Sequence, residues 1–535
     1  MKKLQYGSRL LFYLVILAMS IVTTDAIAQR PVTKPNIIVI MSDDHAYQAI
    51  SAYGSRLIQT PNIDRIASEG AIMRNSFVTN SVCSPSRAVL LTGKYSHLNG
   101  LKDNGTYFNG AQQTLPKIFQ ANGYRTAVVG KWHLWSDPTG FDYWNILPAQ
   151  GHYYNPPFIK MGKDTAYKGY VTDVITDLAL DWIGQNKEKP FFLLLLHKAP
   201  HRNFMPPLKY LDRFNTKEFP LPVNFYDDYK GRPALQRQQI TIARDLDIRY
   251  DTKIPCDSCP VTKVNEWAPA EYKREIERLT SAERRLWDSA YQLEYDKFKT
   301  LHDRSAIVKF QFRRYMEDYL RCIQSVDDNV GRVLKYLDEK GLSNNTIVIY
   351  TSDQGFYLGE HGLYDKRFMY DESFRTPMMI RFPGQIVPAH SVSEFTLNLD
   401  VAPTLLDFAD IKIPGDMQGV SMRQLLQNNK VHDWRKEIYY HYYELSFGLT
   451  KHCGIYTGRY KLIHFYDPID AWELYDMKRD KIEMHNLYSE PAYKRVVTDL
   501  KKRLRDLQVY YKDDTAGYTP NKSTTLSDKK VRLTN

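Results

Sequence analysis

Four short apolar runs without alternation constrain this chain more than any other feature: 36–41 (NIIVIM), 126–130 (TAVVG), 191–196 (FFLLLL) and 346–350 (TIVIY). A strand with one wet face alternates polar and apolar residues. A run without alternation has both faces buried, as parallel strands inside an α/β sheet do. Helical stretches separate the runs. The clearest is 314–339, where Met316, Leu320, Ile323, Val326, Val330, Val333 and Leu337 recur at helical spacing. Strands alternating with helices predict an α/β fold, a large central sheet flanked by helices. The heavily charged segment from about 232 to 312 predicts a mostly helical insertion over the core. After Gly419 the texture changes: 438–443 and 455–466 read as strands, followed by WELYD across turn-prone residues. A smaller antiparallel-sheet C-terminal subdomain is therefore expected over 430–515, closed by a helix around 492–510, with a polar tail at 516–535.

Each apolar run ends in residues able to do chemistry. The first ends in Asp43-Asp44, the second in Lys131 and His133, the third in His197 and His201, the fourth in Asp353-Gln354. One DD or DQ pair reads as a strand-capping turn. Four such ends converge on one site, because open α/β sheets bind ligands outside the carboxyl ends of their strands. Asp43, Asp44, Asp353 and Gln354 form an all-oxygen set suited to a hard cation, Ca²⁺ or Mg²⁺, whereas zinc normally takes His or Cys. Lys131 and Lys366 would then face an anion bound at the metal.

The most informative stretch is 81–95, SVCSPSRAVLLTGKY. Pro85 suits the first turn of a helix, where its missing N–H costs nothing. Cys83 then stands at a helix N-terminus, which favours anions, and Arg87 one turn on can clamp two oxyanion oxygens. Cys83-Ser84-Pro85-Ser86-Arg87 matches the C-x-P-x-R signature, and Leu91-Thr92-Gly93-Lys94 matches its companion motif. On these residues the chain resembles formylglycine-dependent sulfatases of the alkaline-phosphatase-like superfamily, and the likeness covers nearly the whole of 29–429 and the segment beyond it.

The resemblance implies a mechanism and a set of roles. Cys83 would be oxidised by a dedicated maturation enzyme to formylglycine (3-oxoalanine), whose hydrated aldehyde is the nucleophile. The Ca²⁺ (or Mg²⁺) ligands would be Asp43, Asp44, Asp353 and Gln354, with the modified Cys83 as a further ligand; the family often has Asn or His where Gln354 stands. Arg87, Lys131 and Lys366 would clamp sulfate. His133, in GKWH, would contact the formylglycine hydroxyl, and His201, in HKAPH, would serve the leaving oxygen; His197 and Lys198 lie close without an assigned role. The segments around GEHGLYDKRF and KHCGIYTGRYKL are similar to those of exported bacterial N-acetylglucosamine-6-sulfatases. The expected substrate is thus a sulfated oligosaccharide, with 6-O-sulfated N-acetylglucosamine in heparan-type or mucin-type glycans. His452 reads either as a sugar-pocket residue or as a surface or core histidine. Competing expectations are a uronate 2-O-sulfatase, a phosphonate monoester hydrolase, or an inactive glycan-binding relative using the 39 Tyr and 8 Trp as sugar platforms.

The N-terminus reads as an address. Lys2, Lys3 and Arg9 precede a short apolar stretch and the small-residue site Ala26-Ile27-Ala28, so residues 1–28 are expected to be a signal peptide, and an uncleaved anchor is the alternative. Export to the periplasm or cell surface of a bacterium follows, without stable membrane insertion. The formal charge is +11, and removing the leader's three cations and one anion leaves +9. Such an excess suits any polyanion; the motifs select a sulfated glycan, and no nucleic acid. Five cysteines in 535 residues are no disulfide framework. Cys256 and Cys259, in IPCDSCP, read as a local disulfide or two ordinary thiols, and Cys322 as core.

Overall fold

The computed structural model describes residues 34–514; the expected leader (1–28) and polar tail (516–535) lie outside the described residues. Ten strands form one sheet: β1 (Asn36–Ser42), β2 (Ala71–Phe77), β3 (Arg125–Lys131), β4 (Tyr143–Leu147), β5 (Pro157–Lys160), β6 (Lys163–Ala166), β7 (Phe191–His197), β8 (Thr346–Ser352), β9 (Met378–Arg381) and β10 (His390–Leu397). Their spatial order is β10-β2-β9-β8-β1-β7-β3-β4-β5-β6. The four apolar runs are the adjacent strands β8, β1, β7 and β3 at the centre, all parallel.

Burial on both faces explains the missing alternation. In β1, Ile38 and Ile40 join the core on one side of the sheet, while Ile37, Val39 and Met41 join the core on the other. In β7, Phe191, Leu193 and Leu195 face the first core, and Phe192, Leu194 and Leu196 the second. Each such side chain contributes roughly 1.5–3 kcal/mol of transfer free energy. The helix Arg304–Glu339 covers the first side with Met316, Leu320, Ile323, Val326, Val330, Val333 and Leu337. It begins ten residues before the clear periodicity, capped by the Asp303 carboxylate on Ala306 N–H at 2.8 Å. No helix among the described residues is long and apolar enough to cross a membrane.

The insertion is helical in part. Helices run over Ala268–Glu277 and Ser281–Lys299, but 246–267 is irregular apart from a short turn at Lys263–Asn265. Pro255 and Pro260 withhold backbone donors there, and a Cys256–Cys259 disulfide closes the loop. Cys322 is fully buried.

A separate four-stranded antiparallel sheet follows the order β11 (Ile438–Tyr442), β12 (Lys451–Tyr456), β13 (Tyr460–Asp467), β14 (Ala471–Asp476). The stretch read as one run over 455–466 is two strands that turn at Gly458, where φ is +82°. The helix Lys494–Tyr510 packs against this sheet through Leu500 and Leu504.

Candidate active site

Because β8, β1, β7 and β3 are adjacent and parallel, their carboxyl ends stand side by side. Ser42 is in register with both His197 and Ser352, and Gly130 with Leu196. Gly130 is required where it stands: at φ +109°, a Cβ would meet the Leu196 carbonyl oxygen at 2.0 Å. The next residue, Lys131, thereby reaches the same edge as Asp43, Asp44, Asp353 and Gln354.

The site is buried. Asp43, Asp44, Lys131, Asp353 and Gln354 are fully buried, and Cys83, Arg87, His133 and Lys366 nearly so. Carboxylate oxygens of Asp43, Asp44 and Asp353 all lie within 4.8 Å of one another, and Asp43, Cys83 and His201 form a second group of the same tightness. Three cations interleave with the acids. Lys131 is paired with Asp43, Lys366 Nζ lies 2.8 Å from Asp44, and Arg87 Nη2 lies 2.9 Å from Asp353 and 3.5 Å from Asp43. The Gln354 amide donates to Asp44. Asp44 N–H donates to Asp353 at 3.0 Å, and the Tyr319 hydroxyl donates to the Asp44 carbonyl at 2.7 Å. These contacts hold Asp44 at φ +65°, a left-handed conformation that costs a non-glycine residue of order 1 kcal/mol or more.

Cys83 opens the helix Cys83–Thr92, buried along its whole length. Ser86, inside its first turn, donates to the Asp353 carbonyl and accepts from Asn398 at 2.9 Å. Arg87 also donates to the Lys131 carbonyl at 2.6 Å, so this helix ties β3 to β8. Burial pushes the Cys83 thiol up, so the unmodified side chain keeps its proton and is no activated nucleophile.

Two histidines flank the cluster. His201 Nε2 is 3.7 Å from Asp44, and its Nδ1 is 2.6 Å from the Arg202 carbonyl. His133 Nδ1 is 3.3 Å from the Ser84 hydroxyl and its Nε2 3.0 Å from the Gln150 amide nitrogen. Burial and then Lys131 push both histidines well below the usual imidazole range. His197 ends β7 fully buried, and burial lowers it to about 3. Lys198, held at about 8 by burial, donates to the Gln150 carbonyl at 3.2 Å and lies over Tyr153.

His452 stands apart. It is fully buried, its ring packs against Tyr440, Tyr442 and Phe465, and its Nδ1 bonds the Thr450 carbonyl at 2.7 Å. An aromatic cage encloses the ring, which puts it in the core and not on the surface. Sequence reasoning missed Ser84, Gln150, Arg202 and Asp365, whose carboxylate lies 3.3 Å from Lys366 Nζ. Ser84, Asp365 and Arg202 carried a signal, each standing beside a motif residue; Gln150 carried none.

The residues fit a divalent cation. Asp43 Oδ1 and Gln354 Oε1 are buried acceptors without a hydrogen-bond partner, which is costly unless something positive satisfies them. Burial, with Asp43 beside it, pushes Asp353 up to about 8, and burial pushes Asp44 up to about 6. Burial works the same way on Asp43, but Lys131, His201 and Arg87 override it and hold that carboxyl well down. Carboxylates so crowded are stable in the ionised form only with further positive charge.

Comparison with known proteins agrees with this geometry. The family model described as Sulfatase matches residues 35–411, and that described as N-sulphoglucosamine sulphohydrolase, C-terminal, matches 359–510. The chain is 45% identical over 497 residues to an N-acetylglucosamine-6-O-sulfatase of Bacteroides thetaiotaomicron, covering 91% of this chain and 88% of the relative. A solved structure of a protein in complex with its substrate, D-glucosamine-2-N,6-O-disulfate, superposes with a TM-score of 0.86 at 45% identity, over 90% of this chain and 99% of that one. A phosphonate monoester hydrolase of Agrobacterium radiobacter shares the fold at a TM-score of 0.65 and 19% identity, over 89% of this chain and 96% of that one. With a family model matching most of its length and a relative this similar, the chain belongs to the sulfatase family.

Proposed function

We propose that this chain hydrolyses the 6-O-sulfate of N-acetylglucosamine units in heparan-type or mucin-type glycans, with residue 83 working as formylglycine. The observation that carries the reading is Cys83 held against a buried cluster of three acids and three cations, in a chain so similar to a protein named for that reaction. The substrate named for the neighbouring structure, a 6-O-sulfated glucosamine, supports the same sugar and position.

Asp43, Asp44 and Asp353 balance Arg87, Lys131 and Lys366 charge for charge. A Ca²⁺ or Mg²⁺ held by those acids, Gln354 and residue 83 would free the cations to face an anion and would lower the pKa of a hydroxyl on residue 83. Conversion of Cys83 to formylglycine by a maturation enzyme supplies two geminal hydroxyls, one to attack sulfur and one whose deprotonation expels sulfate; no Ser or Cys offers both. Arg87, Lys131 and Lys366 hold the sulfuryl oxygens and offset their charge in a buried site. His133 takes the proton of the second hydroxyl, since burial keeps its ring neutral. His201 protonates the leaving sugar oxygen. Export to the periplasm or cell surface, supported by the leader, brings the enzyme to such glycans. Sulfate release from a panel of defined sulfated mono- and disaccharides tests the reading: 6-O-sulfated N-acetylglucosamine should be turned over, and preference for a 2-O-sulfated uronate would overturn it.

A further inference from the structure

The irregular part of the insertion, 246–267, looks at first like a cover over the core. Its contacts say otherwise. Arg202, the residue after His201, points its guanidinium into this segment and is held from every side. Arg202 Nε and Nη2 donate to the two carboxylate oxygens of Asp251, each at 2.6 Å, and Nη2 also donates to Asn265 at 3.1 Å. The rings of Tyr364, Trp267 and Tyr250 stand 5.0, 5.3 and 5.5 Å from the guanidinium carbon. Asp251 is fully buried and accepts a third bond, from Asp247 N–H at 2.8 Å. The loop around it is closed by the Cys256–Cys259 disulfide and by Arg249, which donates to the carbonyls of Cys256 and Asp257.

The other end of Arg202 faces the catalytic centre. Its carbonyl oxygen lies 2.6 Å from His201 Nδ1. A carbonyl can only accept, so Nδ1 carries the proton and Nε2 is the nitrogen turned to the centre, 3.7 Å from Asp44. The Tyr153 hydroxyl fixes the other side by donating to the His201 carbonyl at 2.5 Å. We infer that Arg202 and Asp251 are positioning residues for His201: the insertion grips the Arg202 side chain, and the Arg202 carbonyl thereby sets the tautomer and orientation of the histidine. This rests on the reading of His201 as the group that protonates the leaving oxygen. A buried bidentate ion pair is a poor source of stability against an apolar pair of the same volume, but it fixes a backbone carbonyl in direction as an apolar contact does not.

The test is a double-mutant cycle with kcat measured on one sugar sulfate and one aryl sulfate. Asp251→Asn keeps the shape and weakens the grip, and Arg202→Lys, the second variant, keeps the charge but loses the fork. Each should lower kcat on the sugar sulfate by about 10²-fold, the cost of misplacing a catalytic group by about 1 Å, with a smaller loss on the aryl sulfate. In the His201→Ala background either change should cost no more than about twofold, within the scatter of such measurements, because the group it acts through is already gone. Losses that persist undiminished in that background would mean a purely structural role and overturn the inference. The comparison of substrates is read separately. Equal losses for His201→Ala on both esters would end the acid role, while the coupling between His201 and Asp251 would still stand or fall on the cycle.

Discussion

Removing the metal should expose the strain of three buried acids, and the size of the effect can be worked out. Burial raises Asp44 from its ordinary 3.8 to about 6, and Asp353 further, to about 8. A carboxyl whose pKa is higher folded than unfolded destabilises the fold as pH rises from its unfolded pKa towards its folded one. For Asp44 alone, a shift of about two units corresponds to roughly 3 kcal/mol. Unfolding entropy near 2.1 cal/mol/K per residue gives roughly 1 kcal/mol/K for a chain of about 480 ordered residues, so the penalty is about 3 °C in Tm. A cation present at 100 times its Kd adds about 2.7 kcal/mol, a similar number of degrees. Melting curves in chelator should therefore fall by at least about 3 °C between about pH 4 and pH 8 relative to curves in Ca²⁺. Asp353→Asn removes the acid most raised by burial, at the expense of its 2.9 Å pair with Arg87. It should raise Tm in chelator at pH 8 and shrink the Ca²⁺ shift. A chelator curve parallel to the Ca²⁺ curve, or an Asp353→Asn variant destabilised equally in both, would refute the reasoning.

Cys83→Ala should abolish turnover and leave Tm within a few degrees of the parent, because the thiol makes no hydrogen bond that the fold depends on; folded variant with substantial activity would count against the mechanism. His201→Ala should open a gap of about 10²–10⁴ between a sugar sulfate and an aryl sulfate, since a nitrophenolate leaves without a proton; parallel kcat measurements decide it. Asp513 accepts from His441 at 2.6 Å and Tyr439 at 2.7 Å, and although burial opposes it, His441 and His97 hold its carboxyl well below the usual range. Its contribution is present above about pH 4 and lost as pH falls. Asp513→Asn should therefore lower Tm at pH 7 by about 2–3 °C, as for charge-assisted hydrogen bonds worth about 1.5–3 kcal/mol, and the difference should shrink steadily as pH falls below about 4.

The centre of the sheet was legible because a strand buried on both faces leaves no alternation, and β8, β1, β7 and β3 all carry that mark. Its edges were not. Strands such as β10 (HSVSEFTL) and β6 (KDTA) expose polar side chains, and only pairing with a neighbour makes them strands. The candidate catalytic groups were readable where strand ends and the Cys83 motif place them. Their supports were not, because contacts such as Gln150 on His133 and Asp251 on Arg202 bring together residues 17 and 49 apart through irregular segments.

The most direct test of the central claim ties activity to the chemical state of residue 83. Enzyme produced with graded amounts of a formylglycine-generating enzyme would be digested, and mass spectrometry of the Cys83 peptide would give the fraction converted in each batch. Sulfate release from 6-O-sulfated N-acetylglucosamine would be measured on the same batches. Turnover should be proportional to the converted fraction and extrapolate to zero where all of residue 83 is cysteine. Equal activity in batches whose Cys83 is wholly unconverted would contradict the account.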